Sequence, residues 1–196
     1  MTSGSRLSER ELRDADDAAL GAALVGRDQR ALAEAYRRHG GTALALARRI
    51  VGDRVLAEEV VQEVFVRTWN HPDRYDPHRG SMRSYLYAQV HGRSVDLLRA
   101  ETARRAREQR DALRATPTDD ELERAVTNLA ETEAVRRALT TLSDDERSAI
   151  DLAYFGGHTY KEVAVLLEQP EGTVKSRIRS GLLRLRAALI DAGVHE

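Results

Sequence analysis

From Thr159 to Arg186 the chain reads T-Y-K-E-V-A-V-L-L-E-Q-P-E-G-T-V-K-S-R-I-R-S-G-L-L-R-L-R, a run that admits one local architecture: two short helices joined by a tight turn. Thr159, followed three residues later by Glu162, is a capping box that opens the first helix. Pro170 helps start the second, because a missing amide and a fixed φ suit a first helical turn. On a wheel of about 100° per residue, Val174, Ile178, Gly181, Leu182, Leu185 and Leu189 share one face. That face must pack on Val163, Ala164, Leu167 and a preceding helix. Gly172, Thr173, Ser176, Arg179 and Ser180 lie opposite, with Lys175 and Arg177 at the sides. Such an outer face suits a DNA groove. Thr173 and Ser176 are small enough to let the helix seat deeply. Arg179 can reach a guanine edge, a contact worth about 1–3 kcal/mol, and Lys175 and Arg177 are placed for phosphates. An ordinary amphipathic helix with a charged exterior gives the same wheel, so this helix by itself leaves both readings open.

The rest of the chain narrows the choice. Frequent Ala, Leu and Arg, few aromatics and almost no alternating β-branched runs predict an all-α protein. No apolar stretch is long enough to span a bilayer, and Met1 to Arg13 lacks the hydrophobic core of a signal sequence, so the expected location is cytoplasmic. The absence of Cys excludes disulfides, thiol redox chemistry and thiolate metal ligation within the chain. The six His are scattered without the spacing of a metal-binding helix, and no constellation of catalytic groups stands out, so no enzyme activity and no cofactor or metal are expected. Charge is segregated. Residues 35–110 and 152–196 carry more Lys and Arg than acid, while 111–151 is acidic, a division that suggests partners with strong fields of their own or simply solvated helix faces.

Caps and breaks divide the chain into two small helical domains joined by a flexible acidic linker. Residues 1–16 are expected to be a disordered tail. Asp17 to Val25 is a short amphipathic helix closed by Gly26, and Asp28 caps a helix stopped by Gly40-Gly41. Thr42 restarts the chain, Gly52-Asp53 ends that segment, and a further helix runs from about Arg54 to Trp69. A loop rich in Pro and charge, Asn70 to Gly80, precedes a long helix that Ser81 can cap. These elements make a domain over 17–108. The linker covers 109–130, with Thr116-Pro117-Thr118 followed by Asp119, Asp120, Glu121 and Glu123. The second domain, 131–192, holds a helix of about 131–140, one of about 144–155 opened by the capping box Ser143/Glu146, and the helix-turn-helix.

The order of these motifs resembles one family. The segment from Thr159 to Arg186 is similar to the fourth-domain helix-turn-helix of bacterial sigma factors of the extracytoplasmic-function group. A-E-E-V-V-Q-E-V-F-V-R-T-W at 57–69 resembles the family's helix for core RNA polymerase. Y-D-P-H-R-G-S-M-R-S-Y-L at 75–86 and V-D-L-L-R at 95–99 resemble its promoter-melting segment. The resemblance covers about 17–190.

It implies an alternative sigma factor that binds core polymerase and directs promoter-specific initiation under the control of an anti-sigma factor, often membrane-anchored, which would hold it at the inner face of the membrane. Core binding then falls to Glu58, Glu59, Gln62, Glu63, Phe65 and Trp69. Phe65 also fits a buried stripe with Val61 and Val64, and both placements stay open. Minus-ten DNA falls to Tyr75, Asp76, Arg79, Ser81, Tyr85, Arg93, Asp96 and Arg99, with the amides at the start of the long helix available to phosphate. Asp96 equally suits a pair with Arg93 or Arg99. Minus-thirty-five DNA falls to Thr173, Lys175, Ser176, Arg177, Arg179 and Ser180. Two departures from the family pattern stand out. Glu168-Gln169 occupies the turn where Gly and an apolar residue are usual, and His91-Gly92 replaces an Arg-Asn-like pair.

Overall fold

Hydroxyls and carboxylates set where the helices begin. In the structure, a computed structural model that describes residues 8–108 and 136–193, Ser8 and Glu11 cap each other's backbone amides to open α1 (Glu9–Asp14). Asp16, Asp28 and Asp53 accept the free amides at the starts of α2 (Asp17–Val25), α3 (Gln29–Val51) and α4 (Arg54–Asn70). Two 3₁₀ turns, Pro72–Arg74 and Pro77–Arg79, lead into α5 (Met82–Glu108). A helical segment at 136–140 precedes α6 (Asp144–Ile150), which widens into a π turn (Asp151–Phe155). Then come α7 (Tyr160–Leu166) and α8 (Glu171–Asp191). The described residues contain no strand, so the all-α class holds. Contacts divide the chain into two units, Met1–Ser94 and Val95–Glu196, a boundary that falls within α5. The expected acidic linker, 109–130, lies outside the described residues, as do 1–7 of the expected tail and 131–135 of the expected helix.

In the first unit, two expectations change. The chain from Ser8 onward is folded rather than a tail: Leu12 is buried, and Arg38 of α3 donates to the carbonyls of Leu12, Arg13 and Ala15, satisfying the end of α1. Gly40-Gly41 does not stop a helix, because α3 runs through both. A glycine inside a helix costs only about 1 kcal/mol relative to Ala, and α3 buries a stripe of Ala31, Ala35, Gly40, Ala43, Ala47 and Ile50 that outweighs it. A Cβ at Gly40 would stand 3.2 Å from the ring of Tyr36, a tight contact, and that ring itself packs edge-on against Phe65 of α4. The small residues of α3 receive Ala57, Val60, Val61, Val64 and Phe65 of α4, and Met82, Leu86 and Val90 of α5 complete the apolar interior of the unit.

The second unit is built around Leu142, Ala149, Ile150, Val163, Ala164, Val174 and Ile178. Both expected capping boxes form, Ser143 with Glu146 and Thr159 with Glu162. Gly181 lets α8 approach α6, since a Cβ at that position would sit 2.8 Å from Ile150 Cδ1. The turn between α7 and α8 is a Schellman motif: the Gln169 amide bonds the Ala164 carbonyl and the Glu168 amide bonds that of Val165. Glu168 takes the left-handed position at φ 51°. The departure noted in the sequence is thus resolved by a strained glutamate, a conformation that costs a side chain about 1 kcal/mol or more. Glu168→Gly is expected to raise the stability of this unit by about 1 kcal/mol, seen as a higher urea midpoint at unchanged slope. A lower midpoint would show that the glutamate side chain contributes more than the backbone strain removes.

Candidate nucleic-acid interface

α4 presents two faces because its apolar residues outnumber those one stripe can bury. Ala57, Val60, Val61, Val64, Phe65 and Thr68 face the interior. On the opposite face stand Val55 and Val66, 63% and 50% exposed, with the exposed Glu58, Glu59, Gln62 and Glu63 around them and half-buried Trp69 at the C-terminal end. Phe65 is therefore corrected: its ring is in the core against Tyr36, one turn from the exposed stripe, and cannot meet a partner. Sequence reading missed Val55 and Val66, whose only signal is an apolar residue on the polar side of the wheel. Two of the carboxylates already have partners, Glu58 with Arg54 at 2.8 Å and Glu63 with Arg93 at 2.7 Å. Exposed pairs of this kind contribute at most about 1 kcal/mol and can be exchanged for others. The Glu63–Arg93 pair joins a residue of the expected core-binding set to one of the expected minus-ten set.

The loop after α4 is more internally occupied than expected. Tyr75 is buried, its ring lying where a Cβ on Gly21 would come within 2.9 Å, so it cannot stack on a base and is corrected to a core residue. Burial raises the pKa of its phenol. Tyr85 is half-buried with its ring 5.5 Å from that of Tyr75. Asp76 accepts from the His78 amide at 3.0 Å and Ser81 from the Ser84 amide at 3.1 Å, so both hold the loop in shape. Gly80 adopts φ 145°, a conformation open in practice to glycine alone. The expected free amide at the start of α5 is also corrected: Asp17 of α2 accepts from the Met82 amide at 2.6 Å, filling with a carboxylate the place a phosphate would need. Arg79, Asp96 and Arg99 remain exposed.

On α8, Thr173 is half-buried, and Lys175, Ser176 and Arg179 are exposed. Lys175 pairs with Glu171 at 2.7 Å. Arg177 and Ser180 turn toward the unit instead of outward. Arg177 is 2.7 Å from Asp145, and Ser180 donates to the buried carboxylate of Glu146, which also meets Arg184 at 3.1 Å. The Ser180 hydroxyl first, then the Ser143 amide, hold the Glu146 carboxyl below the ordinary range. The wheel misplaced Ser180 because α6 lies beside α8 and its acidic first turn recruits the hydroxyl and the guanidinium. Leu182 is displaced the other way. With Tyr160, Lys175, Ile178, Arg179, Leu183 and Arg186 it lines an open groove of about 350 Å³. Among the described residues, no group of three or more His, Asp or Glu is placed to hold a metal ion. None of their helices is long and apolar enough to cross a membrane.

Two family models match the chain: Sigma-70 region 2 over residues 35–104, and Sigma-70 region 4 over residues 132–185. The ECF RNA polymerase sigma factor SigK of Mycobacterium tuberculosis H37Rv is 36% identical over 194 residues, covering 96% of this chain and 98% of that protein. This chain belongs to the ECF sigma factors. SigK of Mycolicibacterium vanbaalenii is 36% identical over 164 residues, covering 83% of this chain and 84% of its own length. Among solved structures, CnrH in complex with the cytosolic domain of CnrY matches with 29% identity over 90% of this chain and 97% of that one, at a TM-score of 0.41. As an ECF sigma factor the chain is an alternative specificity subunit of RNA polymerase, and most of its described helices fall in the two matched regions, with α1 and α2 preceding the first. Most of α3, all of α4 and most of α5 fall in region 2; α6, α7 and most of α8 fall in region 4.

Proposed function

We propose that this sigma factor grips a promoter at two points while docked on core RNA polymerase. The α4 stripe of Val55, Gln62, Val66 and Trp69, edged by Glu58, Glu59 and Glu63, docks on the polymerase. Arg79, Arg93, Asp96 and Arg99 meet the minus-ten element, with the Tyr75 ring serving as the floor under Tyr85. α8 reads the minus-thirty-five element with Thr173, Ser176 and Arg179 toward bases and Lys175 toward phosphate. The observation that carries this reading is one stripe on α4 that holds two exposed valines and the half-buried Trp69, ringed by carboxylates, while Ala57, Val60, Val61, Val64 and Phe65 of the same helix are buried. Monomeric surfaces seldom keep such a stripe unless a partner covers it.

The chain contributes no catalytic group in this reading; phosphodiester chemistry is the polymerase's. It works in the cytoplasm, and an anti-sigma factor, membrane-anchored, holds it at the inner face of the membrane until a signal releases it. Run-off transcription tests the central claim. Core polymerase with this chain is expected to yield defined transcripts from a subset of genomic fragments, absent with core alone. Identical products with and without the chain would overturn it.

A further inference from the structure

The turn between α2 and α3 repeats, with one difference, the turn between α7 and α8. It is again a Schellman motif, the Asp28 amide on the Ala23 carbonyl and the Arg27 amide on that of Leu24. Again a residue other than glycine takes the left-handed position, Arg27 at φ 59°. Here the side chain gives the reason. The Arg27 guanidinium reaches the far end of α4, where it donates to the carbonyl of Trp69 and, at 3.3 Å, to that of Asn70. It also lies 5.6 Å from the centre of the Trp69 ring. One residue thereby satisfies carbonyls that a helix end leaves open, places a cation at the negative end of the helix dipole, and covers a face of the indole. A glycine would make the turn more easily and do none of this.

We propose that Arg27 is a positioning residue for polymerase docking, fixing Trp69 in the orientation in which α4 meets its partner. This rests on the reading of α4 as the docking face. An aromatic anchor contributes most to an interface when it is already ordered before contact. Trp69 is held from two directions, at its own carbonyl and across its ring, by a residue far away in sequence. The planar fork of arginine suits this double contact, and a lysine can make only part of it.

The sequence makes the test direct, because Trp69 is the single tryptophan and its fluorescence reports its own surroundings. Arg27→Gly in the full chain removes the guanidinium while easing the backbone, so the fold is retained and the thermal midpoint is expected to hold or rise. Its indole emission is expected to shift to the red and to be more open to acrylamide. Its affinity for core polymerase is expected to fall about tenfold, with Arg27→Lys in between. Combined with Trp69→Ala, it should cause no loss beyond that of Trp69→Ala alone. Wild-type affinity of Arg27→Gly where Trp69→Ala binds weakly, or additive losses in the double variant, would overturn the positioning role. Wild-type affinity of Trp69→Ala itself would instead remove the docking reading, and the proposal with it.

Discussion

Arg38→Ala is expected to destabilise the first unit by about 3 kcal/mol, the low end for breaking a buried ion pair, with a fall of more than about 10 °C in its thermal midpoint. Glu34, 7% exposed, accepts from Arg38 at 2.6 Å and from Arg37 at 2.7 and 2.8 Å. Arg38 also holds the carbonyls of Leu12, Arg13 and Ala15. Its removal leaves a buried carboxylate with one partner and releases the end of α1. Arg37 is largely exposed and, among the described residues, its hydrogen bonds are those to Glu34, so Arg37→Ala should cost about 1 kcal/mol. Urea unfolding of both variants decides the order, and hydrogen exchange should show amides 9–14 losing protection first in Arg38→Ala. A larger loss for Arg37→Ala than for Arg38→Ala would refute the assignment.

The same network sets an acid limit. Arg37, then Arg38, hold the Glu34 carboxyl down to about 2 against the desolvation of its site, from an ordinary value of 4.5. A depressed acid stabilises the fold above its unfolded value and stops doing so as pH falls through its folded value. The contribution is therefore whole above about pH 4.5 and fades toward pH 2; screening of the exposed Arg37 reduces it to about 2 kcal/mol. In Glu34→Gln the dependence of stability on pH over that window should flatten, and an unchanged slope would show that another carboxylate is responsible.

Helix positions were legible in the sequence wherever a cap marks them. Asp28, Asp53, Ser81, Ser143 and Thr159 all cap where their residue types predict, because an N-cap is a local bond between near neighbours. Misreadings came where distant parts of the chain decide. Gly40-Gly41 is a stop signal in isolation, yet the burial of α3 carries the helix through it. Tyr75 in a polar loop has the look of a stacking platform, and only the gap above Gly21, more than fifty residues earlier, turns it inward. Ser180 lies on the outward side of an isolated wheel and is drawn inward by Glu146. Arg27 left no trace in sequence at all, since its partners are the carbonyls of a helix end it meets only on folding. In each case the residue type was readable and its neighbour was not.

Arg179→Ala is expected to weaken holoenzyme binding to its promoter duplex by about 10- to 100-fold, the range for losing one base-directed arginine, with affinity for core polymerase unchanged. Arg179 is exposed on α8 beside Ser176, whereas Arg177 and Ser180 are engaged by Asp145 and Glu146. Lys175 pairs with the exposed Glu171 at 2.7 Å, a pair it can leave for a phosphate at little cost. Lys175→Ala should therefore weaken all duplexes similarly and lower the salt dependence of binding by about one counterion. Ser180→Ala should instead lower the thermal midpoint of the second unit and leave the affinity of the folded protein unaltered. Titrating each variant against promoter fragments recovered with the holoenzyme, at several salt concentrations, separates these behaviours. If Ser180→Ala lost sequence discrimination while Arg179→Ala kept it, the bases would be read by the side of α8 that packs on α6, and α8 would have to leave Glu146 to do so.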